Sequence, residues 1–128
     1  MEPIRLITDL KKWSALIELA CDYDLDGHSH LEVVERVKAG EFLAVEIDER
    51  AVLIIEVLER EHRVLNVVLC AGWAMPKWIS SAVAFLRKMA VDQGCEKVRV
   101  QGRPGWVKVL GRRGFANKAA VMEMSANG

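Results

Sequence analysis

The chain has 128 residues, 52% of them hydrophobic, with 18 basic and 18 acidic side chains and a mean hydropathy of +0.11. That content suits one domain over residues 1–128 with a single sizeable core, and it holds no repeats or low-complexity linkers. No run approaches the roughly 20 apolar residues of a membrane span, and Asp9, Lys11 and Lys12 interrupt any signal-peptide pattern, so a cytoplasmic protein without a membrane partner is expected.

Ile4 to Thr8 reads as a first strand. Thr8 or Asp9 can cap a helix whose apolar positions Leu10, Trp13, Leu16, Ile17 and Ala20 recur at helical spacing. After the turn-rich Asp22 to Gly27, Ser29 can cap a second helix carrying Leu31, Val34 and Val37, which Gly40 ends. Three strands follow, Phe42 to Ile47, Val52 to Leu58 and Val64 to Leu69, joined by short polar turns as a meander. The unbroken Val52-Leu53-Ile54-Ile55 predicts that the middle one is covered on both faces and lies at the centre of the sheet. A long helix is predicted from Pro76 to Asp92, with Ile79, Val83, Leu86 and Ala90 inward and Gly94 at its end. A strand at Lys97 to Gln101 comes next, then a short helix opened by Pro104 and stopped by Gly114, and a last strand from Ala119 to Met124.

The zero net charge conceals an asymmetry: residues 22–61 hold 12 acidic and 4 basic side chains, while residues 62–128 hold 11 basic and 3 acidic ones. Two readings fit this, a pair of solvated faces that attract each other within the monomer, or a bipolar site with an anion-binding and a cation-binding end. A nucleic-acid partner would rest on the basic C-terminal third alone and is disfavoured. Cys21, Cys70 and Cys95 are odd in number and widely spaced, which fits reduced thiols better than a disulfide framework or a zinc site. Asp22-x-Asp24-x-Asp26-Gly27 imitates the opening of a calcium loop, but Val33 stands where the twelfth-position glutamate belongs, so a solvated turn is the better reading. His28-x-His30 has no nearby cysteines and reads as the polar start of a helix; no metal is expected.

The segment from Gly102 to Phe115, following the strand Lys97-Val98-Arg99-Val100-Gln101, gives a strand, helix, Gly-Phe, strand ending. It resembles the C-terminal half of acetyltransferases of the GNAT superfamily, especially the small proteins of that fold encoded by phages. With the preceding elements the resemblance covers almost the whole chain. It implies an α/β domain: a mixed sheet with an antiparallel meander, two N-terminal helices, a long central helix and a short C-terminal helix. It further implies that the fourth and fifth strands, Val64 to Leu69 and Val98 to Gln101, splay apart to admit the pantetheine of acetyl-CoA, and that Cys70, Gly72, Trp73, Lys77, Trp78, Arg103 and Trp106 surround the cofactor.

Two family motifs are altered. At the phosphate-binding Q/R-x-x-G-x-G/A, Ala74 takes the Gln/Arg position and Lys77 and Ile79 take the glycine positions, so the glycine cradle is not encoded. Counting back from Phe115 places Leu110 where the family carries its general-acid tyrosine; Tyr23, in the first loop, is the only tyrosine. Cys70 and Glu56 are the substitute candidates for proton transfer. The charge map places CoA phosphates near Lys77, Arg103, Arg112 and Arg113, and a cationic amine near Glu46, Glu56 or Asp26. Two function classes follow: an acetyl-CoA-dependent N-acyltransferase acting on a small amine or a protein, and a noncatalytic GNAT-like pseudoenzyme. The second would be a structural, assembly or host-interaction protein of a phage, found in the host cytoplasm or the virion, whose complementary charges suit a homo-oligomer or a phage or host protein partner.

Overall fold

The structure, a computed structural model, describes residues 4–22, 27–59, 61–101, 110–113, 116–117 and 121–126. In chain order its elements are β1 (Ile4–Ile7), a 3-10 turn (Lys11–Trp13), α1 (Ser14–Cys21), α2 (His30–Lys38), β2 (Leu43–Ile47), β3 (Ala51–Glu59) and β4 (Arg63–Gly72). A second 3-10 turn (Met75–Lys77) leads into α3 (Ile79–Asp92), followed by β5 (Lys97–Gln101), β6 (Ala116–Asn117) and β7 (Val121–Ser125). The strands form one mixed sheet in the order β1-β2-β3-β4-β5-β7-β6. All neighbours are antiparallel except β4 and β5.

Local chemistry explains most boundaries. Asp9 Oδ1 accepts from the Lys11 N–H at 2.9 Å, opening the first helical segment as a 3-10 turn before α1. The Ser29 hydroxyl accepts from the Glu32 N–H at 3.2 Å and caps α2. Pro76 falls in the 3-10 turn, so α3 begins three residues later than Pro76 itself implies, at Ile79. At the other end Gly94 takes φ +70, the left-handed conformation that closes a helix at no steric cost.

Strand β3 is covered on both faces as its sequence predicts, because Leu53 and Ile55 join the α3-side core while Val52 and Ile54 join the core under α1 and α2. It is the third of seven strands, however, and β4 holds the centre. The reason is the C-terminal half, where β5, β7 and β6 add three strands beyond β4 instead of two. Ile79, Val83, Leu86 and Ala90 all point inward from α3. Among the described residues no helix is long and apolar enough to cross a membrane.

Candidate active site

The parallel pair β4 and β5 is in register only from Val64 opposite Lys97 to Val67 opposite Val100. Strand β4 nevertheless runs on to Gly72, paired there with β3. The separation coincides with a β-bulge: Ile54 faces Leu69 and Ile55 faces Val67, leaving Val68 as the extra residue. A bulge twists and bends its strand, and this one lies one residue past the last β4–β5 pair. Among the described residues β4 and β5 show no pairing past Val67 and Val100.

Above this gap lies the connection from β4 to α3. Gly72 is exposed, and a Cβ there would sit 2.4 Å from the Arg50 carbonyl oxygen and 2.7 Å from Ala51 Cα, so glycine permits the close approach of β4 to the start of β3. Trp73 donates its N–H to the Arg50 oxygen at 3.0 Å, and its half-exposed ring lies 5.6 Å from that of Trp13. Ala74 adopts φ +54. Lys77 N–H then donates to the Ala74 oxygen at 2.9 Å and Trp78 N–H to the Met75 oxygen at 3.0 Å, while Pro76 has no N–H. The N–H groups of Lys77 and Trp78 are thus given to carbonyls within the 3-10 turn. Trp78 is buried in the α3-side core with its indole N–H given to the Trp73 oxygen at 2.7 Å, and Lys77 is exposed. Cys70, on the parted segment, is half-buried against the same core.

Beside α3 runs a groove of about 380 Å³ lined by Ser80, Val83, Ala84, Arg87, Arg112 and Arg113. Three guanidinium groups gather there, and Arg87 Nη2 donates to the Arg113 oxygen at 3.2 Å. Arg87 is absent from the residues that the sequence points to. The available signal was its spacing, since Ser80, Val83, Ala84 and Arg87 stand at i, i+3, i+4 and i+7 and share one helix face.

On the opposite face of the sheet stand two carboxylates. Glu46 on β2 is buried; its Oε2 accepts from Trp13 Nε1 at 2.9 Å and lies 3.6 Å from Lys12 Nζ, and its Oε1 accepts from Arg5. Burial alone would raise its pKa, but the hydrogen bonds from Arg5 and Trp13 and the charges of Lys12 and Arg5 outweigh that and hold it below the usual carboxylate range. Glu56 on β3 is half-exposed, and its Oε1 accepts from Asn66 Nδ2 at 2.9 Å. Asn66 on β4 is fully buried, and its Oδ1 accepts from Arg99 Nε of β5 at 3.1 Å. This row lies one residue below the point where β4 and β5 part, since Val67 and Val100 are the last pair in register.

Arg103, Trp106 and Asp26 lie outside the described residues, as do Tyr23 and Asp24 of the calcium-like segment. His28 packs edge-on against Phe42, and His30 Nε2 hydrogen-bonds Ser14 Oγ at 3.1 Å, which ties α2 to α1. Among the described residues no cluster of three or more His, Cys, Asp or Glu converges on a point.

No protein-family model matches this chain, and no curated protein matches it in sequence. Solved structures do match. An IAA acetyltransferase from Bacillus cereus superposes with a TM-score of 0.69 at 13% identity, covering 98% of this chain and 99% of its own. A GNAT-family acetyltransferase from Streptococcus pneumoniae gives 0.68 at 12%, with 98% and 99% covered. An aminoglycoside N-acetyltransferase in complex with CoA gives 0.67 at 13%, with 92% and 90% covered. At such identities the likeness is one of architecture, and the chain has the fold of the GNAT acetyltransferases.

Proposed function

We propose that this chain is an acyl-CoA-dependent N-acyltransferase of modest cofactor affinity. The observation that carries the reading is the parting of β4 from β5 at Val68, with the arginine groove on the α3 side and the Glu56–Asn66–Arg99 row on the other. Acyl-CoA fits this arrangement at two points and misfits at one. The β4 backbone from Val68 to Gly72 would hold the pantetheine, and Arg87, Arg112 and Arg113 would hold phosphate charge. The turn before α3 lacks the glycines of a cradle and engages the N–H groups of Lys77 and Trp78 internally, leaving Lys77 as its cation. When bound, the thioester supplies an activated acyl group.

The acceptor amine would approach on the face of the sheet opposite α3. Glu56, oriented by the buried Asn66 amide, would take the proton from the attacking nitrogen. Asn66 would act as a positioning residue, because Arg99 on one side fixes its amide so that its Nδ2 is the atom presented to Glu56. Cys70, on the parted segment, is the candidate to return a proton to the departing thiolate. A cytoplasmic location, where acyl-CoA is found, accords with this reading.

A specific observation also favours a second reading: with the N–H groups of Lys77 and Trp78 engaged within the turn and the tyrosine position held by Leu110, the fold would serve as a noncatalytic binding or assembly protein, of the kind phages encode. Calorimetric titration with acetyl-CoA, followed by release of free thiol over a panel of amines, tests both. The enzyme reading expects binding weaker than about 10 µM, some 7 kcal/mol, with thiol release that depends on the amine. Absence of binding at millimolar acetyl-CoA would overturn it in favour of the second.

A further inference from the structure

Among the described residues the sheet is closed at neither end, and its β1 end is chemically unusual. Among the described residues no strand pairs with the outer side of β1, which pairs only with β2. Natural edge strands are usually blunted by a charge, a proline or a covering element. The only charge on β1 is Arg5, and its guanidinium is bound to the buried Glu46 of its own sheet, so it does not guard the edge. Leu6, in the middle of the strand, is 67% exposed, and Leu43, its diagonal neighbour on the same face, is 38% exposed. Both lie on the α3 side of the sheet, since Leu6 pairs with Val45 of that core, yet α3 does not reach them.

We propose that β1 is the seam of a twofold-symmetric dimer of this chain, in which two β1 strands pair antiparallel about Leu6 and join the two sheets into one. The occupant is a second copy because the edge complements itself. With the axis at Leu6, Ile4 faces Thr8 of the second copy, Arg5 faces Ile7, and the two Leu6 side chains form an apolar cross-strand pair. A slip to Arg5 opposite Arg5 would set like charges against each other. The same operation brings the Ile4 end of one strand beside the Thr8 end of the other. Ile4 adjoins Ile47 and the turn bearing the exposed Glu49, while Thr8 leads to the exposed Lys11. Charges of opposite sign would therefore face each other across each end of the seam, over about two strand spacings of 4.8 Å, with Lys11 and Lys12 outweighing the exposed Asp9 at the Thr8 end.

Sedimentation of the full chain over roughly 1 to 300 µM, the span in which a small interface associates, should show a reversible dimer. Leu6→Lys should weaken it at least about tenfold, the scale of losing one buried leucine, without altering secondary-structure content. Lys11→Glu should weaken it, and the double swap Lys11→Glu with Glu49→Lys should restore it. Leu6→Cys should cross-link under mild oxidation, whereas Leu19→Cys, 55% exposed on α1, and the unmodified chain should not. A monomer across the whole range overturns the proposal. So does a dimer indifferent to Leu6→Lys, or one whose Leu6→Cys variant fails to cross-link.

Discussion

Glu46 and Glu56 stand on the same face of the same sheet, on adjacent strands, and the charge pattern of the chain nominates both to bind an amine. Their surroundings assign them opposite roles. Glu46 is buried and its oxygens are engaged by Arg5, Trp13 and Lys12, which ties β1 and the first helical segment to β2. Glu56 is half-exposed, held through one oxygen by Asn66, and sits beside the parting of β4 and β5. A carboxylate surrounded by cations has no attraction left for a substrate cation, whereas one positioned through a neutral amide keeps its charge for an incoming group. Proximity to a cleft is thus a weaker guide than the state of a carboxylate's hydrogen bonds.

The largest effect that would break this comparison is on turnover. Glu56→Gln keeps the hydrogen-bonding shape but removes the proposed base, and should lower kcat/KM about 10²- to 10⁴-fold while the melting midpoint hardly moves. A variant with full activity would return the proton to another group, Cys70 first. Asn66→Ala should lower kcat more than it raises KM and should also cost stability, because the site is fully buried.

Glu46 should behave in the opposite sense. Glu46→Ala leaves the buried Trp13 N–H without its acceptor, a loss of about 1 to 3 kcal/mol measured by denaturant unfolding, with kcat per folded molecule unchanged. Its titration gives a second signature. The folded pKa lies below the ordinary value of 4.5, so the stabilisation is complete above 4.5 and disappears as pH falls through the lowered folded value. The unmodified chain should therefore lose stability below pH 4.5, and Glu46→Ala should flatten that part of the profile. An unchanged acid limb would mean that another carboxylate governs it.

The sheet and helices were largely legible because their signals are local: helical spacing in Ile79, Val83, Leu86 and Ala90, the unbroken apolar run of β3, the cap at Ser29. Strand β4 is longer than its apolar run, since Cys70, Ala71 and Gly72 continue to pair with β3. The site was only partly legible. The altered phosphate motif shows that the family's glycines are absent, but that the N–H groups of Lys77 and Trp78 are given to Ala74 and Met75 depends on a 3-10 turn around Pro76. Asn66 carries no sequence signal, because its role arises when β3, β4 and β5 align Glu56, Asn66 and Arg99 across three strands. Trp78, nominated for the mouth, is core, and a tryptophan's position in sequence does not distinguish the two.

Gly72 sharpens the contrast between framework and site at a smaller scale. It stands at the mouth, yet its lack of a side chain is explained by Arg50 and Ala51 rather than by a ligand. Gly72→Ala should cost about 1 to 3 kcal/mol through overpacking against backbone, and acetyl-CoA affinity should fall with it. Full stability combined with lost affinity would instead make Gly72 a direct contact of the cofactor.

The smallest expected effect separates the two sources of positive charge. Lys77 is exposed at the turn, where no N–H cradle fixes a phosphate beside it, so its contribution is that of a solvated charge and Lys77→Ala should weaken acetyl-CoA binding by no more than about fivefold, roughly 1 kcal/mol. Arg87 lines a shaped groove with Arg112 and Arg113, and a guanidinium can grip phosphate with two parallel hydrogen bonds. Arg87→Ala should therefore cost more than Lys77→Ala, and Arg87→Lys should recover only part of the loss because an ammonium lacks the planar fork. Titrations at two salt concentrations complete the test, since the Lys77 increment should vanish as the Debye length shortens and the Arg87 increment should largely persist. Equal losses at both positions, equally screened by salt, would show that the groove acts only as diffuse positive charge and that the phosphates are not seated beside α3.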